Sequence, residues 1–108
     1  FMHISEGIDT GEIIHQIVAD FFIGDSPHSI GNRLIKKMTY IYAELINNFS
    51  KLDYMKQPNI KGLLYKRRDF NKEACRKLYD QFENGIVEKF ITFGTPKPNI
   101  IENPGLTE

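Results

Sequence analysis

Residues 26–49 decide the fold of this chain, and they read SPHSIGNRLIKKMTYIYAELINNF. Apolar side chains recur there at spacings of three or four, the period of one face of an α-helix. They are Ile30, Leu34, Met38, Ile41, Leu45 and Phe49. Ser26 suits the N-cap position, and Pro27 suits the first helical position. We therefore expect a long amphipathic helix that begins at this pair and ends near residues 48–52.

Three extended segments are expected around this helix. Residues 1–5 alternate large and small side chains, and residues 12–22 are rich in Ile, Val and Phe. Residues 62–67 alternate in the same way, and such patterns are typical of strands. The beginning of the second segment suits a helical turn equally well.

A second helix is expected to begin near Asn71 and to break at Gly85, because glycine costs about 1 kcal/mol in a helix interior. The segment order then predicts an α/β fold over residues 1–93. Residues 94–108 contain three prolines and are expected to form an extended tail, while residues 53–61 are expected to form a loop.

Composition limits the classes of partner. The 14 basic and 14 acidic side chains balance, whereas a nucleic-acid or anionic-membrane surface needs an excess of Lys and Arg. Cys75 is the only cysteine, so no internal disulfide can form and a reducing compartment is favoured. The chain shows neither a membrane span nor a secretory signal. These features predict a cytoplasmic protein.

One short motif carries candidate chemistry: HISEGIDTGEII over residues 3–14. It places the Asp9 carboxylate in a tight turn, with Gly7 and Gly11 allowing close approach of a backbone or a ligand. The turn is either a ligand-facing loop or an ordinary turn in which Asp9 bonds its own backbone. Composition by itself favours the ordinary turn. Asp-Thr-Gly also occurs in aspartic proteases, but their nearly all-β subunits do not accommodate the helix of residues 26–49.

The whole motif resembles the formyltransferases that use 10-formyltetrahydrofolate, a group that includes the glycinamide ribonucleotide, methionyl-tRNA and nucleotide-sugar amine formyltransferases. Their shared pattern is a strand that often contains histidine, an acidic-glycine-apolar turn, Asp-x-Gly, one residue, and paired Ile or Val. The resemblance extends over residues 1–49, where Gly24-Asp25-Ser26 precedes the long helix. It is weaker over residues 62–70.

The resemblance implies a catalytic role for Asp9 in transferring a formyl group to an amine. In the family, an Asn-x-His pair and the aspartate matched by Asp9 serve the reaction. The aspartate orients the histidine and an ordered water and helps to move the proton that leaves the amine. Glu6, Gly7, Ile8 and Gly11 are implied to bind the folate donor, with the turn meeting the pterin through backbone groups.

The chain departs from the family pattern because it contains no Asn-x-His. In the family this pair precedes the aspartate, so the chain is expected to be the second half of the catalytic domain and inactive alone. The expected partners are 10-formyltetrahydrofolate, a small amine such as a nucleotide-linked amino sugar, and either an N-terminal half or a second copy. No nucleic acid, membrane or metal is expected. The alternative is a non-catalytic interaction or dimerisation module derived from the same fold.

Several other side chains have a plain interpretation beside a functional one. His3 is an ordinary strand histidine or a wall of the site, and His15 is expected at the surface. Residues 66–68, Lys-Arg-Arg, are a solvated strand edge or a grip for a substrate phosphate. Cys75 lies on an apolar helix face and is expected to be buried.

Overall fold

The computed structural model describes residues 1–58, 62–94 and 98–106, and about half of these residues are helical. The three α-helices are α1, Pro27–Asn47, α2, Lys72–Glu83, and α3, Ile86–Phe93. Short 3₁₀ turns lie at Phe49–Lys51, Arg67–Asp69 and Pro104–Leu106. Among the described helices, none is long and apolar enough to cross a bilayer. Parts of the predicted loop and tail, residues 59–61, 95–97 and 107–108, lie outside the described residues.

The predicted α/β fold is wrong, because the described residues form no sheet. Their only β pairing consists of isolated antiparallel bridges from Ile13 to Met2 and to Met55. A strand needs a continuous ladder of backbone partners, whereas the backbone hydrogen bonds of residues 12–16 go in turn to the segments of Phe1, Met55 and Ile101 and form no such ladder. Later in this segment the backbone is bonded by a side chain and not by a neighbouring strand, since Lys37 Nζ donates to the Val18 carbonyl at 3.1 Å. The chain is therefore mostly helical.

The third predicted strand, residues 62–67, is also wrong. Its described residues are irregular and exposed, and it leads directly into the 3₁₀ turn Arg67–Asp69. The Asp69 carboxylate accepts a hydrogen bond from the Lys66 N–H at 2.6 Å and closes this turn. The basic run that begins at Lys66 consequently lies on an exposed turn and forms no strand edge.

The long helix is confirmed at both ends. Ser26 Oγ accepts a hydrogen bond from the Ser29 N–H at 3.1 Å, and Ser29 Oγ accepts one from the Ser26 N–H at 2.8 Å. This reciprocal pair satisfies two donors at the start of α1. At the other end, Asn48 Nδ2 donates to the Glu44 carbonyl at 2.9 Å. Local capping chemistry thus defines α1.

The second helical region is also confirmed, including its break. Asn71 Oδ1 accepts a hydrogen bond from the Ala74 N–H at 3.0 Å and caps α2. Gly85, between α2 and α3, has φ of 83°, a left-handed conformation that favours glycine. Cys75 is half-buried, so its predicted full burial is wrong.

The chain divides into two compact units. The first comprises Phe1–Val18, Ile35–Ile60 and Pro98–Glu108, and the second comprises Ala19–Leu34 and Lys61–Lys97. Within the described residues the buried hydrophobic side chains are Ile14, Leu45 and Val87. The first two belong to the first unit and the third to the second, so each core is small.

Candidate functional site

The Asp9 turn lies in the first unit and projects its carboxylate outward. Asp9 has φ of 53°, and it is the one non-glycine residue with positive φ among those described. Aspartate and asparagine tolerate this region better than other side chains. The Asp9 side chain is exposed, and its carboxylate has no hydrogen bond or ion pair with any residue that the structure describes. The ordinary turn, in which this carboxylate bonds its own backbone, is therefore not what the structure shows.

The backbone of this turn is held from outside the motif. Gln57 Nε2 donates hydrogen bonds to the carbonyl oxygens of Asp9 and Gly11, each at 2.7 Å. Within the turn, the hydroxyls of Ser5 and Thr10 lie 2.6 Å apart. These three hydrogen bonds hold the loop in place, and none of them involves the Asp9 carboxylate. The arrangement positions an acidic group without using it structurally.

Gly11 is required by a close backbone approach. It is buried, and a Cβ placed on it would overlap the carbonyl oxygen of His3. The His3 N–H donates to the Glu12 carbonyl at 2.9 Å, which holds the two segments at this separation. The glycine predicted to permit close approach therefore does so toward the chain's own backbone.

A half-open groove of about 230 Å³ borders the turn. Its walls are residues 2–5 together with Gly7, Asp9, Thr10 and Gly11. Sites for small molecules typically enclose about 300–1,000 Å³ and bury most of their ligand. This groove is smaller and open, so by itself it does not enclose a ligand of that size.

Some of the predicted site residues line the groove, and others do not. Gly7, Asp9 and Gly11 line it, whereas Glu6 and Ile8 are exposed and do not. His3 is the histidine of the groove, and its ring packs edge-on against Tyr54 at 5.0 Å between centroids and against Phe49 at 6.3 Å. The His3 ring is thus held in an aromatic cluster beside the site.

A buried polar cluster joins residues 98–106 to the same unit. Asn103 Nδ2 donates to the carbonyls of Ile14 at 2.9 Å and Asp53 at 2.5 Å, and its Oδ1 accepts from the Gly105 N–H at 3.0 Å. The Asn103 N–H donates to His15 Nδ1 at 3.0 Å. Burial lowers the pKa of His15, opposed by the nearby Glu102 carboxylate and assisted by the chain's amino group. His15 is buried, so its predicted surface position is wrong.

The Gly24-Asp25-Ser26 segment serves the second unit. Arg33 donates to both oxygens of the Asp25 carboxylate, at 2.7 and 3.0 Å, and to the Asp20 carbonyl at 2.7 Å. Hydrogen bonds from Arg33 and then from the Phe22 N–H hold the pKa of the Asp25 carboxyl well below its usual range. Asp25 is thereby committed to joining the preceding loop to α1.

Sequence reasoning missed Gln57 and Asn103. Gln57 lies 46 residues from Gly11 in a segment without motif or periodicity, and Asn103 lies 89 residues from Ile14. A hydrogen bond across such a separation leaves no local pattern. The one available signal was the Pro104 that follows Asn103, which indicated a turn and no more.

Comparison of the chain with known protein families, with curated proteins and with solved structures gave no match. Within the described ranges, no group of three or more His, Cys, Asp or Glu side chains is arranged to hold a metal ion. The Asp9 turn and its groove are consequently the candidate functional site of the chain.

Proposed function

We propose that this chain supplies the aspartate half of a formyl-transfer site, with 10-formyltetrahydrofolate as donor and a small amine, such as a nucleotide-linked amino sugar, as acceptor in the cytoplasm. The observation that carries the proposal is the exposed Asp9 carboxylate on an anchored turn beside a groove, where it pairs with none of the residues that the structure describes. A free carboxylate at such a position is suited to accept a proton from a substrate.

The groove is compatible with one edge of a flat pterin ring. Gly7 lines the groove beside Asp9. The wall formed by residues 2–5 is partly apolar, which suits the face of a ring. Gly7 would hold the donor together with the backbone of Glu6 and Ile8, and Gly11, which packs against His3 and accepts a hydrogen bond from Gln57, would keep the turn in place.

The folate, when bound, supplies a formyl carbon to which the amine nitrogen bonds while the bond from that carbon to N10 breaks. Asp9 accepts the proton released by the amine, directly or through one water, and a proton returns to N10. The carboxylate also orients a histidine if one is brought beside it. These 108 residues contain no Asn-x-His, so that pair would come from outside them.

The proposal concerns the turn and requires no sheet within this chain. Ile4 in the groove wall and Ile8 in the turn are both exposed, and Ile4 is completely so. Apolar side chains beside an incomplete site are suited to contact the polypeptide that completes it. We therefore expect no formyl transfer from the isolated chain.

Reconstitution tests this function. The chain is mixed with the first half of a folate-dependent formyltransferase domain that carries Asn-x-His, and turnover of 10-formyltetrahydrofolate is followed with amino-sugar nucleotide acceptors. Neither polypeptide should be active alone, and the mixture should be active. Asp9→Asn should reduce the turnover of the mixture about 100-fold or more, because it removes the proton acceptor.

Asparagine keeps the size of Asp9 and tolerates the same positive φ, so this variant changes the charge and preserves the turn. Asp80→Asn is the matched control, because Asp80 is an exposed carboxylate of α2 in the other unit. Turnover by the isolated chain, or a mixture that is equally active with Asp9→Asn, would contradict the proposal.

A second candidate is a non-catalytic interaction module. The observation that favours it is the large number of exposed apolar side chains on α1, among them Ile35, Tyr42 and Ile46. A module of this kind would form a stable complex and bind no folate.

A further inference from the structure

The buried side chain of Asn103 uses its whole capacity for hydrogen bonds. Its Nδ2 donates to the carbonyl oxygens of Ile14 and Asp53, at 2.9 and 2.5 Å. Its Oδ1 accepts from the N–H groups of Gly105 and Asp53, at 3.0 and 3.3 Å. A primary amide has two donors and two acceptor positions, so all four are occupied. Because Asn103 is only 5% exposed, a hydrogen bond lost there is not simply replaced by one to bulk water.

Segment 53–57 leads away from this amide. At Asp53, its first residue, the Asn103 side chain holds both the backbone N–H and the carbonyl. Met55 exchanges two backbone hydrogen bonds with Ile13, at 2.7 and 2.9 Å. The two paired residues are two positions apart, which is the period at which the backbone groups of an extended chain point to one side. The first half of the segment is therefore fixed by two pairs of hydrogen bonds.

Gln57 ends the segment and holds the Asp9 turn. It lies two positions after Met55, and its side-chain amide donates to the carbonyls of Asp9 and Gly11, each at 2.7 Å. Asp9 has positive φ, and a non-glycine residue keeps that conformation where the surrounding contacts define it. The direction of the Asp9 carboxylate thus depends on where the segment places Gln57.

We infer that Asn103 is a positioning residue for the Asp9 carboxylate. Its amide fixes the start of segment 53–57, and Gln57 at the end of that segment fixes the turn. The predicted tail, which contains Asn103, is then part of the site although it acts through other residues. The role of Asp9 rests on the proposed function, whereas the structural link between Asn103 and the turn is tested without it.

A second route from Asn103 to the turn makes a different prediction. Asn103 also bonds the Ile14 carbonyl, and Ile14 lies three residues after Gly11 in the sequence. A change at Asn103 can therefore reach the turn along the backbone. The route through segment 53–57 requires the side-chain donors of Gln57, and the backbone route does not.

The test is residue-resolved NMR of the full chain, with the backbone amide signals of residues 9–11 as the readout. Asn103→Ala should displace these signals, because the start of the segment loses its partner. Asn47→Ala is the matched control, since Asn47 is exposed at the end of α1 in the same unit, and it should leave them unchanged. An unchanged amide signal of Leu45, in the core of this unit, shows that the variant is folded. Asn103→Ser, whose hydroxyl retains part of the bonding, replaces Asn103→Ala if the latter does not fold.

A double variant decides the route. In a Gln57→Ala background, Asn103→Ala should displace the signals of residues 9–11 no further, because the side chain that joins the segment to the turn is absent. Independent effects would add instead. Signals that do not respond to Asn103→Ala would overturn the inference. An equal displacement in both backgrounds would also overturn it, because it would assign the effect to Ile14.

Turnover by the reconstituted mixture tests the positioning of Asp9. Asn103→Ala should lower kcat about 10- to 100-fold, the range expected when a catalytic group is misplaced. With Asp9→Asn already present it should lower kcat no further, because no proton acceptor remains to be positioned. An undiminished kcat, or an equal loss with Asp9→Asn, would contradict the positioning role. An inactive wild-type mixture would contradict the proposed function, and the NMR result would still decide whether Asn103 controls the turn.

Discussion

At the scale of single residues, Gly11 determines whether the Asp9 turn can exist. Its backbone packs against the His3 carbonyl with no space for a Cβ. Gly11→Ala should therefore force the two segments apart and lower the free energy of unfolding by about 1–3 kcal/mol, the usual cost of overpacking. Chemical denaturation followed by circular dichroism measures this loss.

Gly31→Ala provides the control for that substitution. Gly31 lies in α1, and a Cβ there would meet no atom within 4 Å. Alanine is favoured over glycine in a helix interior by up to about 1 kcal/mol, so this variant should be as stable as the wild type or more stable. A Gly11→Ala protein as stable as the Gly31→Ala protein would show that the turn is not packed as described.

The conformation of the turn at Asp9 could be predicted from the sequence, but the contact that supports this turn could not. The glycines around it and its own tolerance of positive φ predict a tight turn, and the structure has one. The support of that turn by Gln57 was not predictable, because Gln57 lies 46 residues from Gly11 and 48 residues from Asp9 in the sequence. Local chemistry defines the conformation, and a distant side chain holds it in place.

At the scale of elements, segment 98–106 is docked through His15, and this docking should depend on pH. His15 Nδ1 accepts the Asn103 N–H, so the neutral ring fits the folded state and the imidazolium does not. The folded-state pKa is lowered below the ordinary 6.5, so unfolded chains bind the proton first as the pH falls. The stability from this group is complete above pH 6.5 and is lost as the pH falls through the lowered pKa.

The measurement is the free energy of unfolding across a pH series for the wild type and for His15→Gln. Glutamine retains an acceptor for the Asn103 N–H but does not titrate. The wild type should lose stability on acidification with a slope of at most about 1.4 kcal/mol per pH unit for this one group. Identical pH profiles of the two proteins would contradict the role given to His15.

The helices of this chain could be predicted from its sequence, whereas the strands were predicted wrongly. α1, α2 and α3 were predictable because caps such as Ser26 and Asn71 and a break such as Gly85 act on adjacent residues. The strands were wrong because the same β-favouring composition does not provide a partner. Residues 12–22 use their backbone groups for Met55, Ile101 and side-chain donors instead.

At the scale of the whole molecule, the described residues form two compact units, and each of them has a small core. A helix such as α1 gains most of its stability from burying its apolar face. Side chains of α1 that remain exposed, such as Ile35 and Ile46, therefore add little to the stability of the isolated chain.

The central claim is that the Asp9 turn is a folate-facing wall, and the most direct measurement is a residue-resolved NMR titration of the full chain with 10-formyltetrahydrofolate. We expect saturable shifts of the backbone amide signals of residues 6–11 and none of comparable size in α2. Asp9→Asn should leave these shifts in place, because the turn meets the pterin through its backbone. Absence of any shift in residues 6–11 at saturating folate, or shifts confined to other residues, would contradict the account.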